Sequence, residues 1–372
     1  MSRRNGAAAD CGPVSPKRRS REGGPLSTTT TALHQRVRRT ILKYGLCPSG
    51  SRVLVALSGG SDSVALTLLL RDLAATSQFQ VVAVAHLNHR LRESASRDEQ
   101  FCRDLADRHG IPLVADSIDV RGYAASQGLS LEDAARRVRY DFLERAAKQV
   151  AADQIAVGHT QDDQAETFLL KVIRGAGLRG LGGIYPRRGQ VIRPLLETTR
   201  ADLRQFLAGR GESWVEDETN ADEQNPRNRL RHRIIPDLDR TYGGPTSPSL
   251  ARAAGHIRED TEFLDDIARE RFSALAVIRD TRSTDTAQYG GAETGGWSLE
   301  LEADLLTVLP VPIIRRILLR ALRLCGGERE IGLVHIEAAL EVLHGTRGGA
   351  DIPGGRMELR RGKLVLLKQG AF

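Results

Sequence analysis

The sequence predicts an α/β protein: a doubly wound, mostly parallel sheet followed by a smaller, mainly helical C-terminal domain. Three observations carry this. Short β-branched runs alternate with longer helical patterns from about residue 33 to 210, the signature of a parallel sheet covered on both faces. The first of those runs ends in a glycine–serine turn that opens directly into an apolar helix. After Tyr242-Gly243-Gly244-Pro245 the strand signals fade and long helical patterns take over.

The candidate strands are Val53–Leu57, Val81–His86, Pro112–Ser117 and Gln154–Val157, and the candidate helices span 63–74, 95–109, 130–150 and 161–174. Ser130-Leu131-Glu132-Asp133 reads as a capping box at a helix start. The glycine-rich stretch 174–183 is expected to be loop. Beyond the break, helical patterns cover about 250–275, 309–325 and 331–343, and a hairpin closes the chain around Arg361-Gly362. The boundaries are therefore a basic tail lacking structure at 1–32, an α/β domain at 33–240 and a smaller, mainly helical domain at 241–372.

Composition narrows the class. With 372 residues the chain is long enough for two domains that each bury a core. No apolar run approaches the ~20 residues of a membrane span, so a membrane-embedded protein is not expected. Cys11, Cys47, Cys102 and Cys325 are scattered and never form CxxC, which argues against a zinc ribbon or a disulfide framework and fits a reducing, cytoplasmic setting. The net charge of +7 is +4 in residues 1–35, +4 in 36–240 and −1 in 241–372, pointing to a polyanionic partner for the first two segments.

The strongest chemical signal is Ser58-Gly59-Gly60-Ser61-Asp62-Ser63. A buried strand, two glycines, small hydroxyls and a helix start make a phosphate cradle, and Asp62 beside phosphates makes sense as a Mg²⁺ ligand. The loop lacks the Gly-Lys-[Ser/Thr] of a Walker motif and the third glycine of a dinucleotide fingerprint. His86-Leu87-Asn88-His89-Arg90-Leu91-Arg92 follows the second strand, where polar residues border the ligand crevice of a doubly wound sheet. In Gly158–Thr167 a histidine, His159, precedes the carboxylates Asp162, Asp163 and Glu166 within one helical turn, a group able to hold an amine and take its proton. Arg136 and Arg139 share a helix face that could clamp phosphate or carboxylate. Arg227, Arg229, Arg231 and Arg233 lie within seven residues and suit RNA phosphates, with Trp214 and Tyr185 as stacking candidates.

The SGGSDS loop resembles the pyrophosphatase-loop enzymes, an adenine nucleotide α hydrolase-like fold whose members cleave ATP to AMP and pyrophosphate. On its own the loop leaves nucleotide amidation, tRNA thiolation and tRNA lysine ligation open. The ordered series HLNHRLR, EDAARRVRYDFL, GHTQDDQAET, RGAGLRGLGGI, WVEDETN and NPRNRLRH then resembles the tRNA(Ile)-lysidine synthetases, densely over about residues 34–240. That resemblance implies ATP and Mg²⁺ as cofactors and free L-lysine and the CAU-anticodon isoleucine tRNA as substrates. It leaves a homodimer open.

By residue, it implies nucleotide binding by Ser58, Gly59, Gly60, Ser61, Asp62, Ser63, His86 and Arg139. Lysine would meet Asp163, Glu166 and Arg136. Catalysis would fall to Asp62, His159, Asp163 and Glu166, and tRNA contact to His89, Arg92, Arg227, Arg229, Arg231 and Arg233. About 130 residues follow the catalytic region where longer members carry two accessory domains, so a short form is expected. The rival readings are a tRNA thiolase using the same activation step and a tRNA-binding factor without turnover.

Overall fold

Three consecutive buried aliphatics, Val53, Leu54 and Val55, build the central strand of the first sheet. The computed structural model describes residues 28–91, 95–216, 225–280, 297–326 and 331–368. In chain order it begins with α1 (Thr28–Lys43), β1 (Arg52–Ala56), α2 (Ser61–Ala74), β2 (Gln80–Asn88), α3 (Ala95–His109) and β3 (Leu113–Ser117). Next come α4 (Val120–Gln127), α5 (Leu131–Gln149), β4 (Gln154–Ala156), α6 (Gln161–Ile173), α7 (Leu178–Leu181), β5 (Arg187–Arg188), β6 (Val191–Ile192) and α8 (Arg200–Arg210). Two compact units emerge: the described residues of Met1–Thr160 with Pro186–Asp217, and those of Gln161–Tyr185 with Glu218–Phe372.

In the first unit the strand order is β3-β2-β1-β4-β6-β5, parallel except for the edge pair β5–β6. The order reverses between β1 and β4, which is where a doubly wound sheet opens its ligand crevice. Alternation along β1 divides the core between two helical layers. Val53 and Val55 pack in the cluster that holds Val64, Leu68, Leu105 and Leu203, whereas Leu54 joins Phe142, Leu143 and Ala146 on the other side. Ser130 caps α5, its hydroxyl oxygen accepting from the Asp133 amide at 3.1 Å.

The second unit continues through α9 (Pro226–Arg229), a π-helical turn (Leu230–Ile234), α10 (Ile235–Tyr242), α11 (Ser247–Leu275), β7 (Ala276–Asp280) and β8 (Trp297–Glu302). It ends with α12 (Ala303–Thr307), α13 (Val311–Gly326), α14 (Leu333–Leu343), β9 (Gly349–Ile352), β10 (Gly355–Arg360) and β11 (Lys363–Lys368). Its strands form an antiparallel sheet ordered β7-β8-β11-β10-β9. Ile313, Ile314, Ile317, Leu318, Ala321 and Leu322 recur at helical spacing along α13 and bury the sheet's inner face with Leu299, Leu301, Leu364 and Leu366.

Four features depart from the sequence reading. The C-terminal unit holds a five-stranded sheet among its described residues, of which only the β10–β11 hairpin was expected. Helix α1 starts at Thr28, so the last five residues of the expected unstructured tail are helical, while 1–27 lie outside the described residues. One helical turn, α7, interrupts the glycine-rich stretch taken for loop. The compact units also divide inside the segment expected to be one domain, since α6 and α7 group with the C-terminal half of the chain.

Candidate functional site

In the first unit, β1 passes into α2 through Leu57–Gly60. Gly59 adopts φ +90°, a backbone that L side chains rarely accept. Its carbonyl accepts from the Val215 amide at 2.9 Å, and a Cβ there would stand 3.4 Å from both Cys102 Sγ and Val215 Cγ2. Gly60, extended, sets the start of α2, and its carbonyl accepts from the Ser63 and Val64 amides at 3.1 and 3.0 Å. Ser63 Oγ closes the turn: it donates to the Gly60 carbonyl at 2.9 Å and accepts from the Ser58 amide at 3.1 Å. The N-terminus of α2 thus opens directly behind the end of β1, the arrangement that binds anions.

Asp62 enters that first turn with one carboxylate oxygen accepting from Ser61 Oγ at 3.2 Å and the other from Arg200 Nε at 3.3 Å. Gly158, two residues past β4, lies so close that a Cβ would come within 3.3 Å of the Asp62 carbonyl and the Ser63 amide. The ends of β1 and β4 therefore converge on one point. His86 is buried at the end of β2, its Nδ1 2.9 Å from the Leu57 carbonyl. A carbonyl only accepts, so Nδ1 carries the proton and Nε2 is left as a buried acceptor that meets no partner among the described residues. That atom suits an N–H or O–H of a nucleotide.

Among the described residues no three His, Cys, Asp or Glu side chains gather as a metal cluster. The lone Asp62 carboxylate beside a phosphate cradle fits Mg²⁺, which takes one or two carboxylates and completes its shell with phosphate oxygens and water.

Arg136 and Arg139 are exposed on α5 and lie 5.2 and 5.6 Å from the Tyr140 ring. Buried Arg193, just beyond β6, shares the Tyr140 hydroxyl; burial pushes its guanidinium pKa down, and the hydroxyl offsets part of that. His159 follows β4 half-buried, and His89 is half-buried after β2. Arg92 lies outside the described residues. Trp214 packs against the core and donates its indole N–H to Glu216 at 2.8 Å.

In the second unit the first turn of α6 carries the acidic pair. Glu166 accepts from Arg227 Nε at 2.7 Å and from Arg231 Nε and Nη2 at 2.8 and 3.2 Å, and its side chain is only 1% exposed. Asp163, 11% exposed, accepts from Arg227 Nη2 at 3.1 Å. Arg227 and Arg231 are therefore bound internally, where the sequence reading expected RNA phosphates. The reason is spacing: they are four apart on one face, while Arg229, His232 and Arg233 are exposed. Gln164 donates to the Gly182 carbonyl at 3.1 Å and accepts from the Ile184 amide at 2.6 Å, pinning the end of the glycine-rich stretch to α6. Tyr185 is half-buried, and burial raises its hydroxyl pKa.

Sequence reasoning missed Arg193 and Arg200. Each is a single arginine in an arginine-rich chain. A signal existed for Arg193 in its place directly after a strand, and for Arg200 only in its place at a helix start behind Thr198-Thr199.

The family model of the PP-loop domain matches residues 29–238. A tRNA(Ile)-lysidine synthase of Symbiobacterium thermophilum is 37% identical over 331 residues, covering 87% of this chain and 66% of that protein. Its counterpart from Geobacter sulfurreducens is 34% identical, covering 90% of this chain and 67% of that protein. The chain thus spans about two thirds of the length of the curated relatives it matches. Among solved structures, the U34-tRNA thiolase NcsA from Methanococcus maripaludis superposes with a TM-score of 0.53 at 18% identity, over 62% of this chain and 79% of that one, a likeness of fold. Glycine-built phosphate loop, ordered motifs and sequence identity agree: the chain belongs to the tRNA(Ile)-lysidine synthase family of PP-loop proteins.

Proposed function

We propose that the chain ligates free L-lysine to the wobble cytidine of a CAU-anticodon isoleucine tRNA at the expense of ATP. The observation that carries this reading is the Ser58–Ser63 cradle at the β1/β4 crevice, in a chain whose relatives bear that enzyme's name. In the first step a carbonyl oxygen of the cytosine attacks the α-phosphorus of ATP, and pyrophosphate leaves. The lysine ε-amine then bonds to the ring carbon bearing that oxygen, the carbon–oxygen bond to AMP breaks, and the amine's protons pass to a base.

The loop amides and the hydroxyls of Ser58, Ser61 and Ser63 hold the phosphates, His86 Nε2 accepts from the nucleoside, and Arg139 adds charge. Bound Mg²⁺ at Asp62 supplies neutralisation of the leaving pyrophosphate. At neutral pH only about one lysine amine in a thousand is unprotonated, given a pKa near ~10.4, so a base beside the amine is needed. Asp163 is the more open of the acidic pair and takes that role with His159, which stands four residues before it in the chain. Glu166, almost fully enclosed by two guanidinium groups, holds Arg227 and Arg231 in place. Arg136 faces the lysine carboxylate. Exposed Arg229 and Arg233, with His89 and Arg92, track RNA phosphate.

A thiolase reading is disfavoured by the three cysteines among the described residues. Burial pushes the Cys47 and Cys102 thiols up to about 12 and the Cys325 thiol to about 11, so little thiolate exists at neutral pH. The test is incubation with ATP, Mg²⁺, radiolabelled lysine and a CAU isoleucine tRNA transcript. Label enters that transcript and none enters one with a changed wobble base; equal labelling of both overturns the proposal.

A further inference from the structure

Arg200 stands at the first helical position of α8, where a cation is disfavoured by the helix dipole. Thr199 caps α8 by accepting from the Asp202 amide at 3.1 Å, and Asp202 supplies the favourable first-turn charge. What Arg200 does reach is Asp62, the carboxylate at the mouth of the phosphate loop. The Arg200 side chain is 17% exposed and that of Asp62 24%, so both face a partly desolvated space where charge counts for more than in open water. The Nε–H···Oδ2 contact between them is 3.3 Å, long beside the ~2.7–2.9 Å usual for a charge-assisted pair. The guanidinium is delivered from firm ground: Leu203, Phe206 and Leu207 of α8 are buried in the core that also holds α2.

We propose that Arg200 is a phosphate-binding residue of the cradle: it rests on Asp62 when no nucleotide is bound and passes to the β- and γ-phosphates of ATP when one arrives. Its departure leaves the Asp62 carboxylate available to a divalent cation. The exchange substitutes one anion for another around a cation that cannot lose its proton, so it costs no proton transfer. Planar guanidinium also suits the two-oxygen face of pyrophosphate, the group that leaves. This inference rests on the reading of Ser58–Ser63 as an ATP cradle, and equilibrium binding separates the two.

ATP affinity of the full chain is measured by isothermal titration without Mg²⁺ and again with it, for the wild type, Arg200→Gln, Arg200→Lys and Asp62→Asn. Arg200→Gln weakens metal-free ATP binding by about ten- to a hundredfold, the range of a charged hydrogen bond. Arg200→Lys recovers part of that loss. Asp62→Asn binds metal-free ATP more tightly than the wild type, because the competing anion is gone, and gains little from added Mg²⁺. Circular dichroism melting keeps the comparison to folded variants; if Arg200→Gln does not fold, Arg200→Lys and Asp62→Asn still decide it. Metal-free affinities of Arg200→Gln, or of Asp62→Asn, within twofold of the wild type overturn the role of Arg200. A wild-type chain with no measurable ATP binding overturns the cradle itself.

Discussion

Replacing Glu166 by Gln keeps its shape and one acceptor but removes the charge from the most enclosed carboxylate among the described residues of the second unit. Two guanidinium groups then lose their principal anion. Breaking a fully buried pair costs about 3–5 kcal/mol, but Arg227 and Arg231 are 36% and 24% exposed, so water takes up part of the loss. The expected destabilisation is about 2–3 kcal/mol. Geometry also ranks the partners. Arg231 meets Glu166 through two donors at 2.8 and 3.2 Å, a fork, whereas Arg227 uses Nε alone at 2.7 Å.

Double-mutant cycles of Glu166→Gln with Arg231→Gln and with Arg227→Gln therefore show the larger coupling for Arg231, by about 1 kcal/mol. Urea denaturation followed by circular dichroism gives these values, using variants whose m-value is unchanged. A Glu166→Gln effect below about 0.5 kcal/mol, or stronger coupling to Arg227, refutes the assignment of Glu166 as the anchor of both arginines.

The other expectations concern the nucleotide, the amine, the RNA and the pH dependence. Gly158→Ala drives a Cβ to 3.3 Å from the backbone of Asp62 and Ser63; thermal melting should register a loss of about 1–3 kcal/mol, and ATP titration a weaker affinity. Asp163→Asn should raise the lysine concentration for half-maximal labelling about tenfold or more while ATP–pyrophosphate exchange with tRNA stays near wild type, because the carboxylate acts on the amine. Arg229→Ala and Arg233→Ala should each lower the salt slope of tRNA binding by about one, read by filter binding from low to moderate salt. Burial alone would raise the Asp72 carboxyl, but the hydrogen bond from His34 and the Arg210 guanidinium override it and hold it below the usual range. A lowered folded pKa means stability present above about pH 4 and lost as pH falls through the folded value. Asp72→Asn should accordingly cost about 1–2 kcal/mol at pH 7 and progressively less below pH ~4, as chemical denaturation across pH will show.

The first unit was legible because its central strands β1, β2 and β4 are largely buried and its helices follow at regular intervals. Val53–Val55, Val81–Ala85 and the run from Ile155 to Val157 read as parallel strands without ambiguity of face. The second unit was harder for physical reasons. Strand β7 directly follows a 29-residue helix with no punctuation between them, so nothing set Ala276–Asp280 apart as a strand. Strand β9 has four residues, too few for a period of two to declare itself. Only β10 and β11, joined by Arg361-Gly362 with both residues at positive φ, carried a hairpin's own chemistry in the sequence.

The candidate site shows the same division between what spacing encodes and what folding decides. The phosphate loop could be read outright, since glycine at φ +90° and a hydroxyl that closes its own turn are local requirements. Charge could not be read that way. Four arginines at alternate positions in 227–233 look equivalent along the chain, yet a helical backbone sorts them into two faces, and the π turn at Leu230–Ile234 sets where the second pair points. The pair that met carboxylates is held internally, and the other pair is exposed. An arginine count is therefore no measure of free positive charge whenever acidic residues on another helix lie within reach, as they do here for Arg227 and Arg231. The same sorting promotes Arg200, which in the sequence is one arginine among 48 and in the fold reaches the carboxylate of the loop.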